Sequence, residues 1–187
     1  MALCNTSTRY GTISRILHWL VAFLVIALLI VGATMGSIDN KATKSIVSNL
    51  HKLTGVTVLF LGVLFLVWTL LNKKPAHPEA MACWEKLLAR SVQTILYCLI
   101  IFMPFTGWLM SSAAQKYPQL LGYKFIMPLV PHSKPLATAA NEAHEFLAWA
   151  LLVLILLHIA GALKHHFIDK SDVLLNMLGR SKNENNR

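Results

Sequence analysis

The sequence predicts an all-α integral membrane protein, a bundle of four transmembrane helices. Three observations predict it. Of 187 residues, 56% are hydrophobic and only 13% charged, too apolar a balance for a water-soluble globule of one domain's length. Four apolar runs, Ile16 to Met35, Val47 to Leu71, Ser91 to Met110 and Phe146 to Leu163, are each about long enough to cross roughly 30 Å of hydrocarbon as a helix. Lysine and arginine are divided unevenly between the two sides that such spans define.

Taken in order, helix 1 is expected over about residues 16–36. It ends in VGATMGS, whose small residues resemble a cleavage site. Its apolar core is long for a signal peptide and three more spans follow, so it reads as an uncleaved first span. Helices 2 (about 47–71) and 3 (about 91–112) follow through short loops, which makes helices 1 to 3 antiparallel neighbours. Helix 4 is expected over about 144–166. The 30 residues before it, Ser112 to Asn141, carry Pro118, Pro128, Pro131 and Pro135. That is too long for a plain connector; it reads as a lid over the outer mouth, and a loop skimming the membrane surface without a role accounts for it equally. The tail, 172–187, is polar and is expected to fray. Residues 1–187 then form a single membrane domain.

The N-terminal arm (Arg9, Arg15), the loop between helices 2 and 3 (Lys73, Lys74, Lys86, Arg90) and the tail (Lys164, Lys170, Arg180, Lys182, Arg187) hold eleven basic residues. The other side holds six: Lys41, Lys44, Lys52, Lys116, Lys124 and Lys134. Both termini are therefore expected in the cytoplasm. The net charge of +9 reflects this asymmetry together with contact to lipid phosphates. No basic–aromatic pattern points to nucleic acid. Cys4, Cys83 and Cys98 are odd in number and lack metal-ligand spacing, so no disulfide framework is implied.

Chemistry is concentrated in histidine. His144 and His158 lie fourteen residues apart on helix 4, about 40° short of four full turns, so both rings leave one face, roughly 21 Å apart along the axis. Ionisable groups at such depths are costly and mark function. His18 opens helix 1 at the cytoplasmic end and His51 opens helix 2 at the outer end. Matching depths pairs His18 with His158 and His51 with His144. A single histidine at a helix end is more often an interfacial residue hydrogen-bonded to a headgroup; four at two matched depths favour ligation.

Two imidazoles at each depth suit a flat macrocycle gripped on both faces. Zinc would want three or four ligands at one depth. Haem iron takes two axial ligands on opposite sides of its plane, and no CxxCH attachment motif is present, so two b-type haems are the reading. Arg15, one turn before His18, and Lys52, beside His51, are placed to meet haem propionates. Gly11, Gly32, Gly55, Gly62 and Gly161 would admit a ring closely, although helix packing explains such glycines equally. Lys164, His165 and His166 with Arg90 form a cytoplasmic cluster suited to a propionate or a quinone. Tyr117 and Tyr123 in the long loop are an alternative quinone contact. His77 and His132, between prolines, read as solvated.

With these residues in hand, the chain resembles the bacterial cytochrome b561 family of membrane dihaem proteins. The matching pieces are R-x-x-H-W at Arg15 to Trp19, H-K-x-x-G at His51 to Gly55, H-E at His144 and Glu145, and L-H-x-x-x-x-x-x-H-H from Leu157 to His166. They extend over most of the chain, from about Tyr10 to Gly179. The resemblance implies a four-helix bundle in the bacterial inner membrane, with axial ligands at His18, His51, His144 and His158, exchanging electrons with ubiquinone. Some members oxidise superoxide on the outer side; related cytochromes are membrane subunits of hydrogenases and formate dehydrogenases.

Six-coordinate haem leaves no open position, which implies electron transfer rather than oxygen activation. A superoxide:ubiquinone oxidoreductase is the first reading. The six outer lysines face three acids, Asp39, Glu142 and Glu145, a balance that would steer a small anion, although lipid phosphates account for those lysines as well. A haem-bearing anchor for a separate dehydrogenase, with a protein redox partner, is the alternative. A histidine-lined metal-ion transporter is a third reading, and it would be colourless.

Overall fold

A computed structural model describes residues 2–75 and 81–180; His77, Lys182, Arg187 and the end of the polar tail lie outside them. The described chain is mostly helical, in the order α1 (Thr12–Thr34), a short 3₁₀ turn (Met35–Ser37), α2 (Lys41–Leu71), α3 (Cys83–Ala113), a two-stranded hairpin of β1 (Gln119–Leu120) and β2 (Tyr123–Lys124), α4 (Lys134–Phe167) and α5 (Val173–Leu178). The four long helices are each long and apolar enough to cross a membrane. Large apolar side chains such as Phe23, Phe60, Leu70 and Trp149 face outward along them, as helices that are apolar all round do in lipid.

Every long helix begins earlier than its apolar run, and local chemistry explains why. The Asn5 side-chain oxygen accepts from the Gly11 N–H at 2.8 Å and from the Ser14 hydroxyl at 2.7 Å, which anchors the N-terminal arm to the first turn of α1. Asn40 caps α2, its side-chain oxygen accepting from the Thr43 N–H at 3.0 Å. Ser133 caps α4 through the Leu136 N–H at 3.3 Å. Polar residues can extend a membrane helix into water once a cap satisfies its first N–H groups.

The largest correction follows from that last cap. Pro135, expected among the loop prolines, sits instead in the first turn of α4, where proline has no helical hydrogen bond to lose. The expected loop, 112–141, therefore shrinks to residues 114–133. Within it, Gln119 pairs with Lys124 and Leu120 with Tyr123. Leu121 and Gly122 make the two-residue turn, both at positive φ (50° and 85°), the primed geometry that matches hairpin twist. The tail is corrected too. Rather than fraying from residue 172, its described start forms α5 over Val173–Leu178, and the Trp19 indole N–H donates to the Met177 carbonyl at 3.0 Å.

The chain falls into two compact units, each taking a segment from all four long helices. The first contains Met1–Leu20, Leu64–Tyr97 and Val153–Arg187; the second contains Val21–Val63 and Cys98–Leu152. In the first, Leu17, Phe65 and Val92 are buried, and the Trp68 indole donates to Ser14 at 2.9 Å. In the second, Val21, Val58, Leu151 and Pro118 are fully buried. Pro104 interrupts α3 there and deprives the Ile100 carbonyl, four residues before it, of its usual N–H. Gly62 of α2 lies against Ile100, and a Cβ at residue 62 would come within 2.7 Å of that side chain, a close approach between α2 and α3 that only glycine allows.

Candidate functional site

Each unit brings one histidine pair together. In the first, His18 of α1 faces His158 of α4, ring centres 6.3 Å apart and planes inclined by 55°. In the second, His51 of α2 faces His144 of α4, at 6.4 Å and 79°. Two imidazoles bound through one nitrogen each to a metal between them, at about 2 Å per bond, have ring centres about 6 Å apart. Both pairs therefore fit a metal gripped on two faces. Among the described residues no three His, Cys, Asp or Glu side chains converge.

The surroundings of the first pair are aromatic. Trp19 stands edge-on to His18 at 5.2 Å and Phe65 at 6.4 Å. Phe65 in turn contacts Tyr97 at 5.3 Å. The Thr69 hydroxyl donates to the Phe65 carbonyl at 2.8 Å, so Tyr97 must donate to Thr69 across their 3.1 Å contact. Tyr10 lies nearby; burial first, and then Tyr97, pushes its phenol above the usual tyrosine range. Among the described residues neither ring of this pair forms a hydrogen bond through a ring nitrogen.

The second pair lies in a cleft lined by Lys52, Met103, Pro104, Gly107, Pro118 and Asn141 among others. The His144 Nδ1 lies 2.9 Å from the Met103 carbonyl and 3.3 Å from the Thr106 hydroxyl. Loop 114–133 closes over this unit. The Asn49 amide donates to the Gln119 carbonyl and accepts from the Gln119 N–H, both at 2.8 Å. Lys52 donates to the Lys116 carbonyl at 3.0 Å, and the Trp108 indole donates to the Phe125 carbonyl at 3.0 Å. The expected lid is thus a pinned hairpin with Pro118 at the cleft wall.

The other expected contacts are distributed differently. Lys52 lines the cleft beside His51. Arg15 lies with Trp19, Met177 and Leu178 around a shallow surface cleft. Lys164 donates to Glu85 of α3 and to Asp169 at 2.9 Å, and the His165 Nδ1–H donates to Asp169 at 2.6 Å. These two donors, Lys164 foremost, hold the Asp169 carboxyl below the usual carboxylate range. The expected cluster is that of Lys164, His165 and His166 with Arg90. Its lysine is engaged by two acids, and among the described residues no hydrogen bond or ion pair ties the exposed Arg90 to it. His166 is half-buried against Phe167. His132 and Tyr123 are exposed, and Tyr117 is half-buried in the loop.

Of the five glycines expected near a ring, Gly32 alone meets a histidine, with His51 Cε1 3.4 Å from a Cβ built there. Gly62 faces Ile100, Gly11 faces the backbone of Leu3 and Cys4, and Gly55 and Gly161 have no described neighbour within 4 Å. The glycine that matters most, Gly107, is one that sequence reasoning misses. A Cβ there would lie 2.8 Å from His144 Cε1. Its only sequence signal is a place one helical turn beyond Met103, beside Thr106.

Residues 9–180 match the family model described as prokaryotic cytochrome b561. The chain is 32% identical to cytochrome b561 homolog 2 of Escherichia coli (strain K12), over 98% of each chain. It is 24% identical to cytochrome b561 homolog 1 of the same organism, over 93% of this chain and 99% of that one. The chain belongs to the prokaryotic cytochrome b561 family.

Proposed function

We propose that the chain is a dihaem cytochrome in which His18 with His158, and His51 with His144, are the axial ligand pairs of two b-type haems. It carries electrons between superoxide, on the outer side of the bacterial inner membrane, and ubiquinone in the bilayer. The family is one of membrane b-type haem proteins that transfer electrons. The observation that carries the dihaem reading is the pair of ring separations, 6.3 and 6.4 Å, each with room for one metal between two imidazoles. When bound, a haem held on both faces by protein supplies a one-electron carrier with no open coordination position.

The chain's own residues supply binding, charge and exclusion. The Met103 carbonyl and Thr106 orient His144. Lys52 and Arg15 offer cations for propionates near the two pairs. The hairpin pinned by Asn49 covers the cleft of the second pair. In the net reaction two superoxide anions give up one electron each and leave as O₂, while one ubiquinone takes two electrons and two protons to become ubiquinol. The eleven-to-six division of basic residues supports cytoplasmic termini, which puts the exposed Lys116, Lys124 and Lys134 on the superoxide side. His165 and His166 are the proposed proton donors to quinone, with Lys164 held by Glu85 and Asp169.

The test is a reduced-minus-oxidised spectrum with haem counted per chain, followed by addition of superoxide and of quinone. Two low-spin haems, reduced by superoxide and reoxidised by ubiquinone, are expected. One haem or none overturns the ligand assignment. Two haems that superoxide leaves oxidised, in a chain that copurifies with a soluble dehydrogenase, favour the anchor-subunit reading. Neutralising Lys116, Lys124 and Lys134 together is expected to slow haem reduction by superoxide about tenfold or more at low salt and to flatten its salt dependence. An unchanged rate and salt slope would leave those lysines to lipid.

A further inference from the structure

His144 differs from the other three paired histidines in what lies behind its ring. On α3, Met103, Thr106 and Gly107 stand at i, i+3 and i+4, one face of the helix. The Thr106 hydroxyl donates to the Met103 carbonyl at 2.7 Å. A hydroxyl has one hydrogen, so Thr106 presents only lone pairs toward His144 Nδ1 at 3.3 Å. The Met103 carbonyl, 2.9 Å from the same nitrogen, is an acceptor only. A lone pair on Nδ1 would face two acceptors, and an N–H there satisfies both. The proton therefore sits on Nδ1, and Nε2 keeps the lone pair that can bind a metal. Beneath the ring is Gly107, where a Cβ would lie 2.8 Å from Cε1 and 3.0 Å from Nδ1. By contrast, the buried His51 Nδ1 has no hydrogen-bond partner among the described residues.

We propose that this face of α3 is a seat that sets the tautomer and plane of the His144 imidazole, with Gly107 as the positioning residue. The proposal rests on the haem reading above. A ring that donates through Nδ1 to a fixed acceptor is a more basic ligand through Nε2. The seat thereby selects the oxidised, more positive state of whatever iron His144 binds. A methyl at residue 107 pushes the ring off its seat and withdraws both effects.

The experiment is Gly107→Ala in the full, haem-loaded chain. Haem loss to a haem-scavenging apoprotein and a spectroscopic redox titration are compared with wild type. One of the two haems is expected to leave about 10–100-fold faster, with one redox component shifted to higher potential and the other unmoved. A variant that keeps both haems at wild-type rates, with a superimposable titration, overturns the seat. If Gly107→Ala does not accumulate as folded protein, the wild type decides. In ¹⁵N-histidine NMR of the ferrous protein, an Nδ1 proton at His144 that exchanges with solvent more slowly than the Nδ1 proton of His51 supports the seat, and one that exchanges as fast overturns it. A wild type lacking the haem at this pair fails the haem reading itself, which is a different result from a Gly107→Ala variant that matches a two-haem wild type.

Discussion

At His18 and His158 the neighbours are other rings, Trp19 and Phe65; at His51 and His144 they include a backbone carbonyl, a threonine hydroxyl and the glycines Gly32 and Gly107. The spacing across each pair is nearly the same, so the difference lies in how a ring is held. Aromatic packing holds an imidazole by filling the volume it would otherwise sweep, and says little about which nitrogen carries the proton. A carbonyl at 2.9 Å is directional, and fixes the tautomer and the plane together. One chain therefore uses volume in one unit and hydrogen-bond direction in the other to the same end.

This contrast fails most visibly if the two pairs are not independent. His51→Ala or His144→Ala is expected to remove one haem per chain and leave the other spectrum intact. His18→Ala or His158→Ala should remove the complementary one. A single substitution that empties both pairs, measured by haem content per chain, would show that the units fold and load as one.

A smaller effect tests the difference in holding. Phe65 is 6% exposed, and Phe65→Ala leaves a cavity beside His18 at a cost of roughly 3–5 kcal/mol. Thermal unfolding and haem loss should worsen for the His18 component, while Phe65→Leu recovers part of the loss. Unchanged haem retention in the alanine variant would mean that packing is not what restrains His18.

The smallest expected effect is in pH. The carboxyl of Asp169 is held below its ordinary value of 3.8 by Lys164 and then His165. A depressed carboxylate stabilises the fold above its ordinary pKa and loses that contribution as pH falls through the lower, folded value. Between neutral pH and about 5 the tie between α4 and Asp169 is thus indifferent to acid at the carboxylate. Its contribution should disappear only well below pH 4, about the ordinary carboxylate value, and Asp169→Asn should abolish that acid-limb slope in thermal melts.

Much of this is legible without coordinates. The fourteen-residue spacing on α4 and the depths of His18 and His51 are enough to name both pairs, because a helix has a fixed rise and turn. What is illegible has physical reasons. Hydrophobic runs place the helix starts too late because they report lipid, while caps at Asn40 and Ser133 report where the backbone begins to coil. Glu85 escapes notice because an acid at a helix start is commonplace, and its partner Lys164 lies 79 residues away. Gly107 escapes because its meaning depends on His144, which approaches from another helix.

The Met103 carbonyl also constrains how such a protein can drift. A side-chain partner can be deleted by a single codon change, but a main-chain oxygen is present whatever residue occupies position 103. Substitution there can alter the cleft wall without removing the acceptor that His144 needs. Selection on this contact is therefore displaced from the atom that makes it to the neighbour that leaves room for it. A survey of variants should find position 107 restricted to glycine while position 103 wanders among apolar residues of similar size.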